Sequence, residues 1–415
     1  MIVVVFKKAE ILIPKDADMT KWGTVACDQY TSEPQYWDRV SDFTCDSVSA
    51  YKLILPEVYL ENDDVDEKIK EINQNMKKYI AEDVFKSLGE CYVYVERTLK
   101  NGAVRKGIVG AIDLEEYDYS KGSTTRVRAT EKTVVERIPP RLKVRRDAEL
   151  ELPHIMILID NPEKDIIEKL EKQKKSFEKI YDFDLMMDSG HITGYVLNDS
   201  AAQELENNLS SLDDIEKFNK KYLLNDKTPL IYAMGDGNHS LATAKEYYRQ
   251  VKEGIIPGNA ELARYALCEI VNLHDDSLEF EAIHRVLFEL DSDDFVSELE
   301  KFAHKGCDGQ SFVLVHNGNK TSYSVNNPTA NITIGSVQNF LDEYLSSRKG
   351  KIDYIHGETV VEELSHGNNF GIIFDSMDKS DLFKTVAVDG ALPRKTFSMG
   401  EACDKRFYVE SRKIK

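Results

Sequence analysis

Hydrophobic positions along the chain follow two periods, and the switch between them is sharpest at residues 230–245. Leu230 to Met234 is an unbroken apolar run, which predicts a buried strand. Gly235-Asp236-Gly237-Asn238 breaks it, and a helix-forming run starts at Ser240 and extends to about Lys252. Upstream, Ile2–Phe6 and Tyr51–Leu55 predict short strands around a polar loop. Asp63–Phe85 has helical spacing. Cys91–Thr98 and Arg105–Ile112 alternate as strands, with Asn101-Gly102 as the hairpin turn between them. His154–Asp160 reads as a strand, Pro162–Tyr181 as a helix, His191–Leu197 as a strand and Ser200–Leu224 as one or two helices.

Beyond a loop or linker at Gly254–Asn259 the texture returns to strands, at Arg264–Asn272, Ser311–His316, Thr321–Val325, Phe370–Phe374, Thr385–Val388 and Arg406–Val409. Helices are expected at 292–304 and 335–347. Hairpin-rich strands with separate helices favour an α+β class over a doubly wound sheet. One composite domain is expected over 1–255 and a second α+β domain over 260–415.

The length of 415 residues suits two or three domains at roughly 150 residues each. No run approaches the roughly 18 apolar residues that span a bilayer. The apolar patch after Met1 is too short for a signal segment, so a cytoplasmic location is expected. A net charge of −19 argues against general nucleic-acid binding, which draws its affinity from Lys and Arg at phosphates. The six cysteines include no C-x-x-C pair and read as reduced thiols. No His/Cys cluster has zinc spacing.

Four constellations could carry chemistry. The turn comes first. Strand, glycines and helix start place backbone N–H groups at the positive end of a helix dipole, which suits a phosphate. Asp236 could bind Mg²⁺ or accept a hydroxyl proton, and His239 could contact phosphate or act as a base. The turn is neither a Walker A loop nor a G-x-G-x-x-G fingerprint. The second constellation is the loop Trp22 to Trp37, which holds both tryptophans with Thr24, Asp28, Tyr30 and Glu33. Flat apolar walls and a few polar groups are what a small-molecule pocket needs. Third, Arg126–Arg146 carries eight Lys/Arg against two Glu, either a polyphosphate-neutralising island or a solvated face. Fourth, His284-Arg285 and Pro393-Arg394-Lys395-Thr396 again suit phosphate, or are surface turns.

Together these segments resemble the family catalogued as domain of unknown function 1015, whose members usually carry an A-D-G-H-H-R turn after a strand. Met234-Gly235-Asp236-Gly237-Asn238-His239-Ser240 matches that turn. Asp28-Gln29-Tyr30 falls at the family's P-Y-D-V motif, and Arg128-Ala-Thr-Glu131-Lys-Thr133 at its H-E-x-T. Ala282-Ile283-His284-Arg285 is similar to its T-H-R segment, and Leu392-Pro-Arg394-Lys395-Thr396 to its late P-P-K-S/T segment. The matches run through nearly the whole chain in the family's order.

The resemblance implies a ParB/sulfiredoxin-like mixed-sheet domain with insertions. It also implies kinship with archaeal kinases that phosphorylate free serine with ADP. On that basis Gly235, Gly237, Asn238 and Ser240 would cradle phosphates, and Asp236 with His239 would sit at the transfer site. Ser240 replaces the arginine that usually ends the turn, leaving Arg285, Arg394 and Lys395 to supply the clamp. Asn238 stands where sulfiredoxins have their nucleophilic cysteine, which excludes sulfinic-acid reduction. Arg128 and Ala129 depart from the H of H-E-x-T and its neighbour.

The function expected is phosphoryl transfer between ADP or ATP, with Mg²⁺, and a small hydroxylated metabolite, free serine or phosphoserine being favoured. Asp28 or Glu33 would take the hydroxyl proton, and Trp22, Thr24, Tyr30 and Glu131 would shape the pocket. The alternatives are a ParB-like nucleotide switch and a non-catalytic metabolite-binding protein.

Overall fold

The computed structural model describes residues 4–132 and 138–415. The chain divides into two compact units. The first takes residues 1–129, 133–278 and 401–415, and the second takes 130–132 and 279–400. The architecture is mixed α/β.

The first unit is built on a mixed sheet. Its strand order is Glu178–Asp184, His191–Val196, Val93–Thr98, Val104–Asp113, Tyr265–Asn272, Met156–Ile159, Tyr232–Asp236, Val127–Arg128 and Tyr117–Asp118, and Phe6–Lys7 also pairs with Val104–Asp113. Neighbours are antiparallel from Glu178–Asp184 as far as Tyr265–Asn272, which then runs parallel to Met156–Ile159. The Asn101-Gly102 hairpin forms as the sequence predicts. Gly102 adopts φ +86, and the Leu99 N–H donates to the Ala103 carbonyl at 2.8 Å. Tyr265–Asn272, which the sequence texture assigned to the region beyond the first domain, is a central strand of this sheet. Its eight residues are almost wholly buried, the mark of a strand covered on both faces.

The last residues of the chain return to the first unit. Phe407–Tyr408 pairs with Thr24–Val25, and Arg412–Lys413 with Leu150–Glu151. Arg406 is buried between Glu269 and Glu410, the latter at 2.6 Å. Two like charges flanking one guanidinium make this segment a fixed part of the core.

The second unit is an antiparallel sheet ordered Ala303–Lys305, Asn319–Val325, Ser311–His316, Phe370–Ile373, Phe280–Phe288 and Lys351–His356, with Phe397–Met399 also pairing with Phe280–Phe288. Helices Ser292–Phe302 and Thr333–Ser347 match the sequence pattern closely.

Three expected elements differ. Pro162–Tyr181 is not one helix. A 3₁₀ run covers Glu168–Ser176, and Glu178–Asp184 is a strand whose Tyr181 and Phe183 turn inward at period two. Thr385–Val388 lies inside helix Asp381–Asp389, where Leu382, Phe383, Thr385 and Val386 bury one face. Tyr51–Leu55 contains a 3₁₀ turn, Ala50–Leu53, in place of a strand. Among the described residues, no helix is long and apolar enough to cross a membrane. Residues 1–3 and 133–137, which include part of the first expected strand and of the basic island, lie outside the described residues.

Candidate functional site

The strand Tyr232–Asp236 ends in the glycine turn, and helix Asn238–Lys252 begins directly after it. Gly237 holds φ +80, a left-handed conformation that only glycine takes freely. It is the N-cap of a 15-residue helix, and no side chain caps that end. The helical ladder opens with the Leu241 N–H on the Gly237 carbonyl at 3.0 Å. The amides of the first turn therefore carry the positive end of the dipole. A Cβ at Gly237 would lie 3.1 Å from the Ile155 Cα and 3.4 Å from the His154 Cδ2. The turn is thus pressed against residues 154–155.

Strand pairing explains that proximity. Met156–Ile159 runs antiparallel to Tyr232–Asp236 with Met156 opposite Asp236, and the register slips between Met156 and Ile157. Such an irregularity at the end of a pair re-aims the adjoining backbone. It leaves His154 beside the first turn of the helix. The imidazole is only 5% exposed. Its Nε2 is 3.0 Å from the Ser240 hydroxyl, and its Nδ1 is 2.7 Å from the Tyr408 hydroxyl. The Cys27 N–H donates to the same Tyr408 oxygen at 3.2 Å, which leaves the Tyr408 proton free to be donated to Nδ1.

Three charged side chains complete the front of the turn. An Asp28 carboxylate oxygen is 3.8 Å from His154 Nε2, and the Gln29 amide donates to the other at 3.0 Å. Burial opposes ionisation of Asp28, but His154, Gln29 and Lys405 outweigh it and hold the carboxyl below its ordinary range. Lys405 lies 3.5 Å from Asp236, whose other oxygen accepts from the Gly237 N–H at 2.9 Å. One ammonium is thus shared electrostatically by two carboxylates, beside the uncapped helix end. The Asn238 side-chain oxygen is buried there without a hydrogen-bond partner.

Of the residues expected from sequence, the structure brings together Asp28, Gly235, Asp236, Gly237, Asn238, His239 and Ser240. His239 is partly buried in the first helical turn, where its carbonyl accepts from the Thr243 hydroxyl at 2.7 Å. Glu33 is exposed at the start of helix Pro34–Thr44 and caps nothing with its side chain. Tyr30 stacks on Tyr36 at 3.7 Å, and burial with nearby acidic groups pushes its hydroxyl up to about 12.

Trp22 and Thr24 do not line a pocket. Both are 0% exposed, the indole N–H donates to the Val409 carbonyl at 2.7 Å, and the Thr24 hydroxyl donates to the Trp22 carbonyl. Their apolar character serves the packing of the returning C-terminal segment.

Arg285, Arg394, Lys395 and Glu131 belong to the second unit. Arg285 is fully buried and cannot serve as a phosphate clamp. Its guanidinium donates to Gln338 Oε1 (2.9 Å) and to the carbonyls of Ile283, Lys395 and Arg394. Burial lowers its pKa to about 10. The Arg394 Nε–H donates to the Tyr354 hydroxyl at 2.6 Å, while Lys395 is exposed with its N–H toward Glu131. Five cations of the basic island are similarly engaged. Arg126 pairs with Asp213 and Glu116, Arg128 donates to backbone carbonyls, and Arg141, Lys143 and Arg145 pair with Glu57, Asp66 and Glu151.

His154, Lys405 and Tyr408 were missed from sequence. Lys405 and Tyr408 lie some 170 residues from the turn, and no spacing rule connects them to it. For Mg²⁺, the donor set is two carboxylates, Asp28 and Asp236. Among the described residues no group of three clustered metal-ligand side chains includes either. Mg²⁺ is commonly held by one or two carboxylates plus substrate phosphates, so these two fit that partial role.

The fold and the turn define a mixed α/β protein whose strand-to-helix turn leads into a helix with no side-chain cap. The chain matches the family described as protein of unknown function (DUF1015) over residues 10–344, and it belongs to that family. Among solved structures it is similar to a free serine kinase in complex with AMP, at 12% identity and TM-score 0.38, covering 73% of this chain and 91% of that one. It is also similar to a conserved hypothetical protein from Pyrococcus furiosus (10% identity, TM-score 0.34, 74% and 94% covered). A third is SbnI with C-terminal truncation from Staphylococcus aureus (8% identity, TM-score 0.37, 70% and 82% covered). No curated protein sequence matches the chain.

Proposed function

We propose that the first unit carries a phosphoryl-transfer site that takes the phosphates of ADP or ATP at the turn and passes a phosphoryl group to or from a small hydroxylated metabolite. The observation that carries the reading is the uncapped N-terminus of helix Asn238–Lys252, with Gly237 at φ +80 and Lys405 beside Asp236. Backbone amides and one ammonium would neutralise phosphate charge where an arginine clamp is missing. Phosphoryl transfer asks the protein mainly for positioning and charge neutralisation. Asp236 and Asp28 would hold Mg²⁺, which would supply further charge neutralisation at the phosphates.

Asp28 is better placed than Glu33 to orient the acceptor hydroxyl. It is half-buried, ionised and anchored by Gln29, while Glu33 points to solvent. A weakly basic carboxylate suits a loose transition state, in which the hydroxyl proton leaves late. Free serine is the first acceptor to try, and phosphoserine the first donor in reverse.

The test is turnover of serine with ADP or ATP, and of phosphoserine with or without ADP. Loss in Asp236→Ala and Lys405→Met, with folding retained, is the expected result. Full turnover in both variants would overturn the site. Nucleotide binding without turnover of any hydroxylated metabolite would favour a nucleotide switch.

A further inference from the structure

We infer that a cavity behind the turn is a second ligand site, shaped for a small, neutral, largely apolar molecule that carries a hydrogen-bond acceptor. This site stands whether or not the turn transfers phosphoryl groups. The cavity measures about 140 Å³ and lies wholly within the first unit. Leu53, Leu55, Met76, Val144, Leu152 and Ile155 are among its apolar lining residues. His154 and Ser240 line it and are hydrogen-bonded to each other, and Asp28, Asp236 and Lys405 are not among its lining residues. A volume of roughly this size can hold a six-carbon ring, here in a space partly open to solvent.

Charge pairing sets the ligand class. Four charged side chains line the cavity, and they are matched one to one: Arg141 with Glu57, and Arg145 with Glu151. Glu151 has a second cation, Arg412, at 2.8 Å. A charged ligand would enter an apolar space whose counter-charges are already taken, at a desolvation cost that nothing repays. The Cys27 thiol on the wall is held neutral, because burial pushes its pKa up. Arg145 Nε–H is the opposite case. It is buried with no hydrogen-bond acceptor, while the guanidinium carbon lies 5.5 Å from the centre of the Tyr247 ring. Buried donors in folded proteins nearly always find a partner, and a ligand hydroxyl or carbonyl oxygen would supply this one.

The test uses the full chain with three probes of one shape, cyclohexanol, cyclohexanecarboxylate and cyclohexylammonium, followed by ligand-observed NMR and thermal shift. Cyclohexanol should bind saturably and raise Tm, and the two ions should bind roughly tenfold more weakly or worse. Nuclear Overhauser contacts should connect the bound ring to the methyl groups of Met76 and Val144. Ala148→Leu and Val144→Phe, which fill the space, should each abolish binding while near-ultraviolet circular dichroism is kept. Equal binding of the carboxylate, no binding of cyclohexanol, ring contacts elsewhere, or undiminished binding in a folded filled variant would each overturn the inference.

Discussion

Replacing Gly237 with alanine tests whether the turn is built for close approach. The new methyl meets two obstacles. The first is conformational, because φ +80 is left-handed and costs an L side chain about 1–2 kcal/mol. The second is contact. The methyl would lie 3.1 Å from the Ile155 Cα and 3.2 Å from its Cγ1. Since the nearer atom is backbone, relief requires shifting the segment that carries His154. Overpacking of this kind adds typically 1–3 kcal/mol. A total loss of about 2–5 kcal/mol is expected. Gly254→Ala is the control. It sits at φ +68 past the end of the same helix with nothing within 4 Å of its Cβ, so only the conformational part, about 1–2 kcal/mol, should appear. Urea unfolding of both variants, followed by tryptophan fluorescence, measures the difference, since Trp22 and Trp37 are both buried in the first unit. ADP titration should show weaker binding for Gly237→Ala and none of that loss for Gly254→Ala. Equal destabilisation of the two variants, with unchanged ADP affinity, would refute the reasoning.

Lys405→Met should cost about 1–3 kcal/mol of stability, because its pair with Asp236 is mostly covered, and should weaken ADP binding roughly tenfold or more; urea unfolding and calorimetry measure the two effects separately. Asp28 has a depressed folded pKa. Its stabilising effect is therefore fully present above the unfolded value of about 3.9 and is lost as pH falls through the folded value. The gap in urea stability between the native chain and Asp28→Asn should accordingly hold at neutral pH and close below about pH 4; a gap that widened there would contradict the assignment. Arg406→Met strands Glu269 and Glu410 in the core and should cost about 3–5 kcal/mol. Limited proteolysis should then cut near residues 401–415 first.

Local grammar was legible wherever neighbours in sequence are also neighbours in space. Asn101-Gly102 specifies its hairpin, since Gly102 supplies the one left-handed residue this turn takes. Helices Ser292–Phe302 and Thr333–Ser347 announce themselves by an apolar stripe. The strand-turn-helix at Gly237 was equally plain, with its two glycines and the abrupt change of period. Glu178–Asp184 was misread because its charges mask a period-two burial that exists only against His191–Val196.

The turn, the family motifs, the acidic charge and the mixture of helices and strands could all be read from the chain, because each depends on residue type and local spacing. What surrounds the turn was decided by tertiary structure. Pairing of Met156–Ile159 with Tyr232–Asp236 delivers His154, and return of the C-terminal segment onto Thr24–Val25 delivers Tyr408 and Lys405. The same folding removes Trp22, Thr24 and Arg285 from candidacy by burying them among partners. A side chain's type states what it can do chemically. Whether it faces a ligand or fills a core depends on contacts between segments far apart in the chain, and those are fixed only when the whole sheet closes around a shared interior.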